Sequence, residues 1–261
     1  MAKSEIMAAR TYTEKPDTSL FKMHAHDGYE IFLFISGRAK YYIEGTVYSL
    51  RAGDLLLMKR AESHSLLLLK DAPYERISVH FGEDAVIGER GEQIKEYFNN
   101  IPLGQKNHYP ASVFKGNNWE YYLNTIVNAD DEVKRLYITT IMSEICDAAH
   151  RELSNVGKRD SISGLIEYIN EHLGDGLSLE SICDAFHISV SHASRRFKQM
   201  TGTSIWDYVK QKRLLLAKEL LKKGMNPTRV CEKCGFNEYS SFYRAYKSKF
   251  GVSPKDDASA L

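Results

Sequence analysis

Two groups of residues have types and spacings that could do chemistry. The first is His24-Ala-His26 followed by Glu30, with His64 further along the chain. Imidazoles and a carboxylate form a ligand set suited to Mn, Fe, Ni or Zn. The same side chains could instead hydrogen-bond a small polar ligand, or satisfy one another as a structural polar cluster. The second group is basic and occurs twice. Arg195-Arg196-Phe197-Lys198 precedes Gly202 and Ser204, and Arg244-Ala245-Tyr246-Lys247 precedes Gly251 and Ser253, each pair 49 residues apart. Upstream, Ile182-Cys183-Asp184 and Val230-Cys231-Glu232 pair 48 residues apart, so the second copy has one residue more in its turn. A repeat of this size is one supersecondary unit used twice. Its cationic helices have the chemistry to pair with phosphates and reach base edges of duplex DNA.

The charge distribution supports the second group. The chain of 261 residues has a formal net charge of +1, which hides a division. Residues 1–157 hold 18 Lys/Arg and 22 Asp/Glu, a net of −4; residues 158–261 hold 17 and 12, a net of +5. Within 195–255 the count is 15 basic against 4 acidic, a net of +11 that falls on the repeat and favours a polyanionic partner. Ser/His/Asp sets, phosphate loops and paired acid–base carboxylates are absent, so no catalytic residues and no enzyme activity are expected. Cys231-Glu-Lys-Cys234 has zinc-like spacing but lacks a second ligand pair, and Cys183 and Cys231 hold equivalent places in the repeat. Small buried side chains are expected there. Met1 to Arg10 lacks the apolar segment of a signal peptide and no run approaches a membrane span, so a cytoplasmic protein is expected.

The elements that must position these residues differ between the two halves. Residues 20–81 read as short strands broken by turn signals. These are Tyr29 to Ile35, Lys40 to Ile43, Thr46 to Leu50, Leu55 to Met58, Leu66 to Leu69 and Glu75 to Phe81, with Glu44-Gly45 as a hairpin turn. Many short strands at this spacing predict an antiparallel barrel or sandwich. Glu30 shares a strand face with Phe32 and Phe34, which points it inward. Residues 91–99 read as a short helix and 100–118 as irregular. Asp131 to Leu153 predicts a long helix whose apolar side (Leu136, Ile141, Ile145) either packs on the barrel or forms a subunit interface. Ser154 to Asp160 reads as a linker.

Beyond it every segment reads as helix. Ser178 caps the helix to Phe186, Ser189 or Ser191 the next to Met200, and Ser204-Ile-Trp-Asp207 the long helix to Lys223. Asn226-Pro227 opens another, and Ser240 to Phe250 is the last long one. Helices 179–186 and 190–200 make a brace and a reader with Phe197 inward. In the second copy Val230, Phe236, Phe242 and Tyr246 face inward.

Over 162–255 the sequence closely resembles the AraC/XylS-type transcription regulators. The resemblance rests on Ile182-Cys-Asp, Phe197-Lys198 with Gly202, Arg213-Leu214 with Ala217 and Leu220-Leu221, and Cys234-Gly235-Phe236. It continues through Ser240-Ser-Phe242-Tyr-Arg244-Ala-Tyr-Lys247 and Gly251-Val-Ser-Pro254. It implies that Ser191, Ser194, Arg195 and Lys198 of the first reader, and Ser240, Ser241, Arg244 and Lys247 of the second, bind DNA. Three positions depart from the pattern: Ala193 stands where a Leu usually packs, Pro227 replaces a β-branched residue, and no Arg follows Pro254. The short serines of the first reader imply weaker base reading there. His24-Ala-His26-x3-Glu30-x6-Gly37 and Gly53-Asp54…His64 resemble the two cupin motifs, with Lys59 and Ala61 where a Pro and a Gly are usual. That likeness implies that His24, His26, Glu30 and His64 converge inside the barrel as effector or metal ligands.

The expected molecule is α+β. A cupin-like antiparallel β-barrel that senses an effector spans 1–100, a helical dimerisation and linker region spans 101–157, and an all-α domain with two helix-turn-helix motifs spans 158–261. Its expected function is that of a sequence-specific transcription regulator, an activator answering a small molecule in the barrel. It would be a homodimer whose partners are double-stranded DNA, the effector and RNA polymerase. No cofactor is required, a divalent metal in the barrel being optional. The alternatives are a metal-dependent cupin enzyme and a metal-responsive regulator.

Overall fold

The computed structural model describes residues 4–16, 21–69, 72–114, 116, 118–151, 157–159 and 162–259. It divides into two compact units, residues 2–21 with 26–160, and residues 22–25 with 161–261.

The first unit is two antiparallel sheets. Strands β1 (Met7–Thr13), β2 (Tyr29–Ser36), β3 (Ala39–Ile43), β4 (Thr46–Ser49), β5 (Leu55–Met58), β6 (His64–Leu68), β7 (Tyr74–Phe81), β8 (His108–Tyr109) and β9 (Lys158–Arg159) order as β1-β7-β2-β5-β8 and β6-β3-β4-β9. The alternation of side chains along a strand explains why β2 is buried almost throughout. Tyr29, Ile31 and Leu33 belong to a core shared with helices, while Phe32 and Phe34 belong to the core between the sheets. The hairpin between β3 and β4 turns at Glu44 and Gly45, with φ of 46° and 81°. Two positive φ values in succession give the twist that joins adjacent antiparallel strands.

Helices α1 (Gly88–Asn99), α2 (Trp119–Asn128) and α3 (Asp131–His150) cover the outer face of the first sheet. Residues 101–157 therefore form no separate body. The apolar stripe of α3, with Ile138, Ile141, Met142 and Ile145, is buried in that outer core. Of the two readings of this stripe, packing on the barrel is the one observed. Leu136 remains 54% exposed, whereas Ile145 is fully buried and unavailable to a second subunit. The strand β1 and the helix α2 were not legible in the sequence. The linker expected over 154–160 lies largely outside the described residues; within it, β9 pairs with β4 through Thr46–Arg159 and Val47–Lys158.

The second unit is helical: α4 (Ser163–Glu171), α5 (Leu179–Ala185), α6 (Val190–Thr201), α7 (Ile205–Lys222), α8 (Pro227–Lys233), α9 (Tyr239–Phe250) and α10 (Pro254–Ser259). Its caps follow the sequence. Ser178 and Ser181 form a reciprocal capping box, each hydroxyl accepting the other's backbone N–H at 3.0 Å. Ser189 accepts from His192 N–H and Ser204 from Asp207 N–H. Pro227 occupies the first turn of α8, where a missing N–H costs nothing. Among the described residues no helix is long and apolar enough to cross a membrane.

Candidate functional site

The helical unit is built from two like halves. In the first, α5 and α6 flank a turn at His187 (φ 53°); in the second, α8 and α9 flank a turn at Gly235 (φ 73°). The same bond closes both turns: Ile188 N–H donates to Cys183 O at 3.1 Å, and Phe236 N–H to Cys231 O at 3.0 Å. Both second helices have 12 residues and end at a left-handed glycine, Gly202 or Gly251, whose N–H donates to Lys198 O or Lys247 O. Phe197 and Tyr246 are fully buried, as are Ile182 and Val230. This fixes which side of each helix faces out. Ser191, Arg195 and Lys198 on α6, and Ser240, Ser241, Arg244 and Lys247 on α9, are exposed; Ser194 is half-buried. His192, exposed on the first turn of α6, occupies the place of Ser241 and was not singled out from the sequence; the offset of 49 was the available signal.

The halves are joined by α7, whose 18 residues span ~27 Å at 1.5 Å per residue. Arg213, 6% exposed, fastens the joint. It donates to Leu173 O (2.9 Å), Gly235 O (2.7 Å) and Asp175 O (3.0 Å), and its guanidinium lies 5.6 Å from the Trp206 ring centroid. The link ties the segment between α4 and α5, which leads into the first half, to the turn of the second. All four cysteines are buried thiols, and burial pushes Cys234 up to about 12.

In the barrel unit Glu30 is 3% exposed and surrounded by imidazoles. Its Oε2 lies 3.3 Å from His26 Nε2 and 3.1 Å from His64 Nε2, and its Oε1 lies 3.5 Å from His80 Nε2. His80 is the residue that sequence reasoning missed. It sits opposite Glu30 in the β2–β7 register, a relation that becomes visible only once the strands are paired. His26, Glu30 and His64 come together as expected. His24 is exposed on the segment 22–25 that counts with the helical unit, its Nδ1 2.9 Å from Lys22 O.

The tautomers follow from the backbone. His26 Nδ1 is 3.0 Å from Gly28 O and His64 Nδ1 is 2.9 Å from Glu62 O. A carbonyl only accepts, so both rings keep a proton on Nδ1 and turn Nε2 to the carboxylate. Burial opposes ionisation of Glu30, but hydrogen bonds from His26 and His64 and the nearby imidazole charges hold it well below its ordinary value. His64, for which burial works the other way, is raised by Glu30. His80 is lowered, chiefly by burial.

A barrel with a polar cluster and a helical unit with two basic helix-turn-helix motifs define a transcription regulator with a sensing domain. Residues 9–115 match the family model of the AraC-like ligand binding domain, and residues 182–259 match a helix-turn-helix domain model. The chain belongs to the AraC-type transcription regulators. It is similar to the HTH-type transcriptional activator RhaS of Escherichia fergusonii, with 22% identity over 253 residues, 90% of this chain and 87% of that protein. RhaS of Enterobacter sp. is 22% identical over 259 residues at the same coverage. Among solved structures, ToxT from Vibrio cholerae aligns over 99% of both chains at 16% identity, with a TM-score of 0.41.

Proposed function

We propose that this chain activates transcription as a cytoplasmic, non-enzymatic homodimer, binding paired DNA segments through its two helix-turn-helix motifs and an effector through its barrel. The observation that carries the reading is the pair of matched basic faces, Arg195 and Lys198 on α6 and Arg244 and Lys247 on α9, held on one helical unit by α7. Activation is taken from the RhaS relatives, which are named transcriptional activators, and RNA polymerase is the partner that activation requires. Ser191, Ser194, Ser240 and Ser241 are the polar contacts beside those cations. The exposed side of α3 at Leu136 is the subunit contact this reading uses, in place of the buried Ile145. Fluorescence anisotropy of the full chain on random-sequence duplex DNA tests it. Four phosphate contacts predict a log–log salt slope of about −3.6. A chain that leaves duplex DNA unbound at low salt is not this regulator.

The tautomers of His26 and His64 favour a second reading, in which the regulator responds to a divalent metal. Two Nε2 lone pairs aimed at one ionised carboxylate repel it unless protons or a cation lie between, and ring N–H groups held by carbonyls are the usual support of metal-ligating histidines. His26, Glu30 and His80 offer ligand atoms within 4.8 Å of one another, and His64 Nε2 adjoins the same carboxylate. These four residues would hold the ion, which would supply an electrophilic centre for an oxygen or nitrogen of an effector. Elemental analysis of protein purified without chelator checks it. About one equivalent of Mn, Fe, Ni or Zn, lost in His80→Ala, supports the reading; a metal-free protein that takes up no Co²⁺ by absorbance removes it.

A further inference from the structure

Arg76 is the one partly buried arginine of the barrel unit that has no acidic partner among the described residues. It lies on β7, opposite Phe34 in the register with β2, and on the strand face of Tyr74 and Ser78 that turns toward the second sheet. The other two arginines of that unit that are not exposed are both paired. Arg60 binds Asp27 at 2.7 Å and Glu83 at 2.9 Å, and Arg135 binds Asp84 at 3.2 Å. Around Arg76 there are rings instead. Its guanidinium carbon is 5.8 Å from the centroids of Phe21 and Phe32 and 5.9 Å from that of Tyr74. Its Nε is buried and donates to no acceptor.

Aromatic faces attract a cation but accept none of its hydrogen bonds at full strength, so beyond the Tyr74 hydroxyl the fork of donors meets no carboxylate. A carboxylate fits such a fork bidentately. The box also continues into an apolar wall: Phe32 meets Tyr41 at 4.9 Å between centroids, and Tyr41 stacks on His64 at 6.1 Å. The wall therefore runs from Arg76 to the imidazoles around Glu30. The His26 and His80 side chains retain 26% and 32% exposure, so this end of the barrel is open to a solute.

We propose that the effector of this barrel is a small monocarboxylate with an apolar or aromatic body, its carboxylate on Arg76 and its body along Phe32 and Tyr41. The inference rests on the reading of the barrel as an effector-binding domain and names the chemical class that domain takes. A single guanidinium matches a single negative charge, which favours a carboxylic acid over a phosphate dianion. The rings around it favour a body without a polyol's hydroxyls.

The test is differential scanning fluorimetry of the full chain with benzoate, 4-hydroxybenzoate and hexanoate at millimolar concentration, each beside its neutral amide. At least one acid is expected to raise the melting temperature by more than ~2 °C over its amide. Isothermal titration of that acid against Arg76→Gln should show affinity lower by about 10–100-fold, with Arg76→Lys in between. Acids and amides that shift the wild type alike would overturn the proposal, and this arm does not depend on any variant folding. So would a folded Arg76→Gln that keeps the acid's full affinity. DNA anisotropy on the same samples separates the two readings. Intact DNA binding without acid discrimination removes only this inference, while loss of DNA binding in the wild type removes the regulator itself.

Discussion

The two helix-turn-helix halves share a plan but differ at three points, and the differences show what each half is suited to do. At the turn, His187 adopts a left-handed φ that strains a side chain, where the second half has Gly235. In the core, Ala193 stands at the position of Phe242 on the 49-residue offset. Phe242 packs against Phe236, Tyr239 and Tyr246 with ring centroids 5.2–5.8 Å apart. On the surface, the first turn of α6 carries Ser191 and His192, whereas α9 carries Ser240 and Ser241 behind Tyr239. The second half combines an unstrained turn with an aromatic core, which makes it the firmer of the two. A firm helix holds its side chains to a fixed geometry, and fixed geometry is what base reading requires.

The largest effects should come from the second core and from the joint. Phe242→Ala is expected to destabilise the helical unit by about 3–5 kcal/mol, read by urea denaturation, because a fully buried ring leaves a cavity. Arg213→Ala should cost about 3 kcal/mol, since three carbonyls lose a buried charged donor. A loss near zero in either variant would show that the halves are not organised as described.

Arg244→Ala is expected to weaken cognate DNA by about 1–3 kcal/mol and to relax preference at one base pair. Arg195→Ala should cost less and lower affinity for all sequences alike, as measured by anisotropy on cognate and scrambled duplexes. Equal effects on sequence preference would erase the proposed division between the readers.

The smallest effect belongs to the strained turn. His187→Gly should stabilise the first half by about 0.5–1 kcal/mol by relieving the positive φ. Gly235→Ala should destabilise the second half by more than that, because besides the positive φ its Cβ would sit 2.6 Å from an Arg213 nitrogen and 2.8 Å from Leu173 O.

The barrel offers a contrast in pH dependence. Glu30 is lowered from 4.5, so its contribution is complete above pH 4.5 and is lost as pH falls through the depressed value. His64 is raised from 6.5, so its contribution is complete below pH 6.5 and is lost as pH rises through the elevated value. With chelator present, the difference in melting temperature between wild type and Glu30→Gln should be widest between pH 4.5 and 6.5. A difference that grows steadily with pH would contradict this pairing.

The helical unit was legible in the sequence because its information is local. Caps such as Ser178, Ser189 and Ser204 and breakers such as Gly202 and Gly224 lie next to the helices they bound. The 3.6-residue period places Arg195 and Phe197 on different faces. The barrel was legible only in part. His26, Glu30 and His64 could be grouped through their likeness to a motif, but His80 joins them only because β7 pairs with β2 in one particular register. Arg76 escaped for the same reason. The strand β1 is an edge strand with exposed Met7 and Tyr12, so it lacks the apolar alternation that marks the central strands. The stripe of α3 could not be assigned from periodicity, which reports that a face is covered without saying by what.

The central claim is that two linked motifs read two neighbouring segments of DNA, the second more selectively than the first. The most direct measurement is selection of binding sites from a random duplex library by the full chain, followed by sequencing. The account predicts two preferred blocks separated by about one helical turn, 10–10.5 base pairs between centres. It also predicts that Arg244→Ala blurs one block while Arg195→Ala leaves both recognisable. A single short block, or two blocks that Arg195→Ala and Arg244→Ala blur equally, would contradict it.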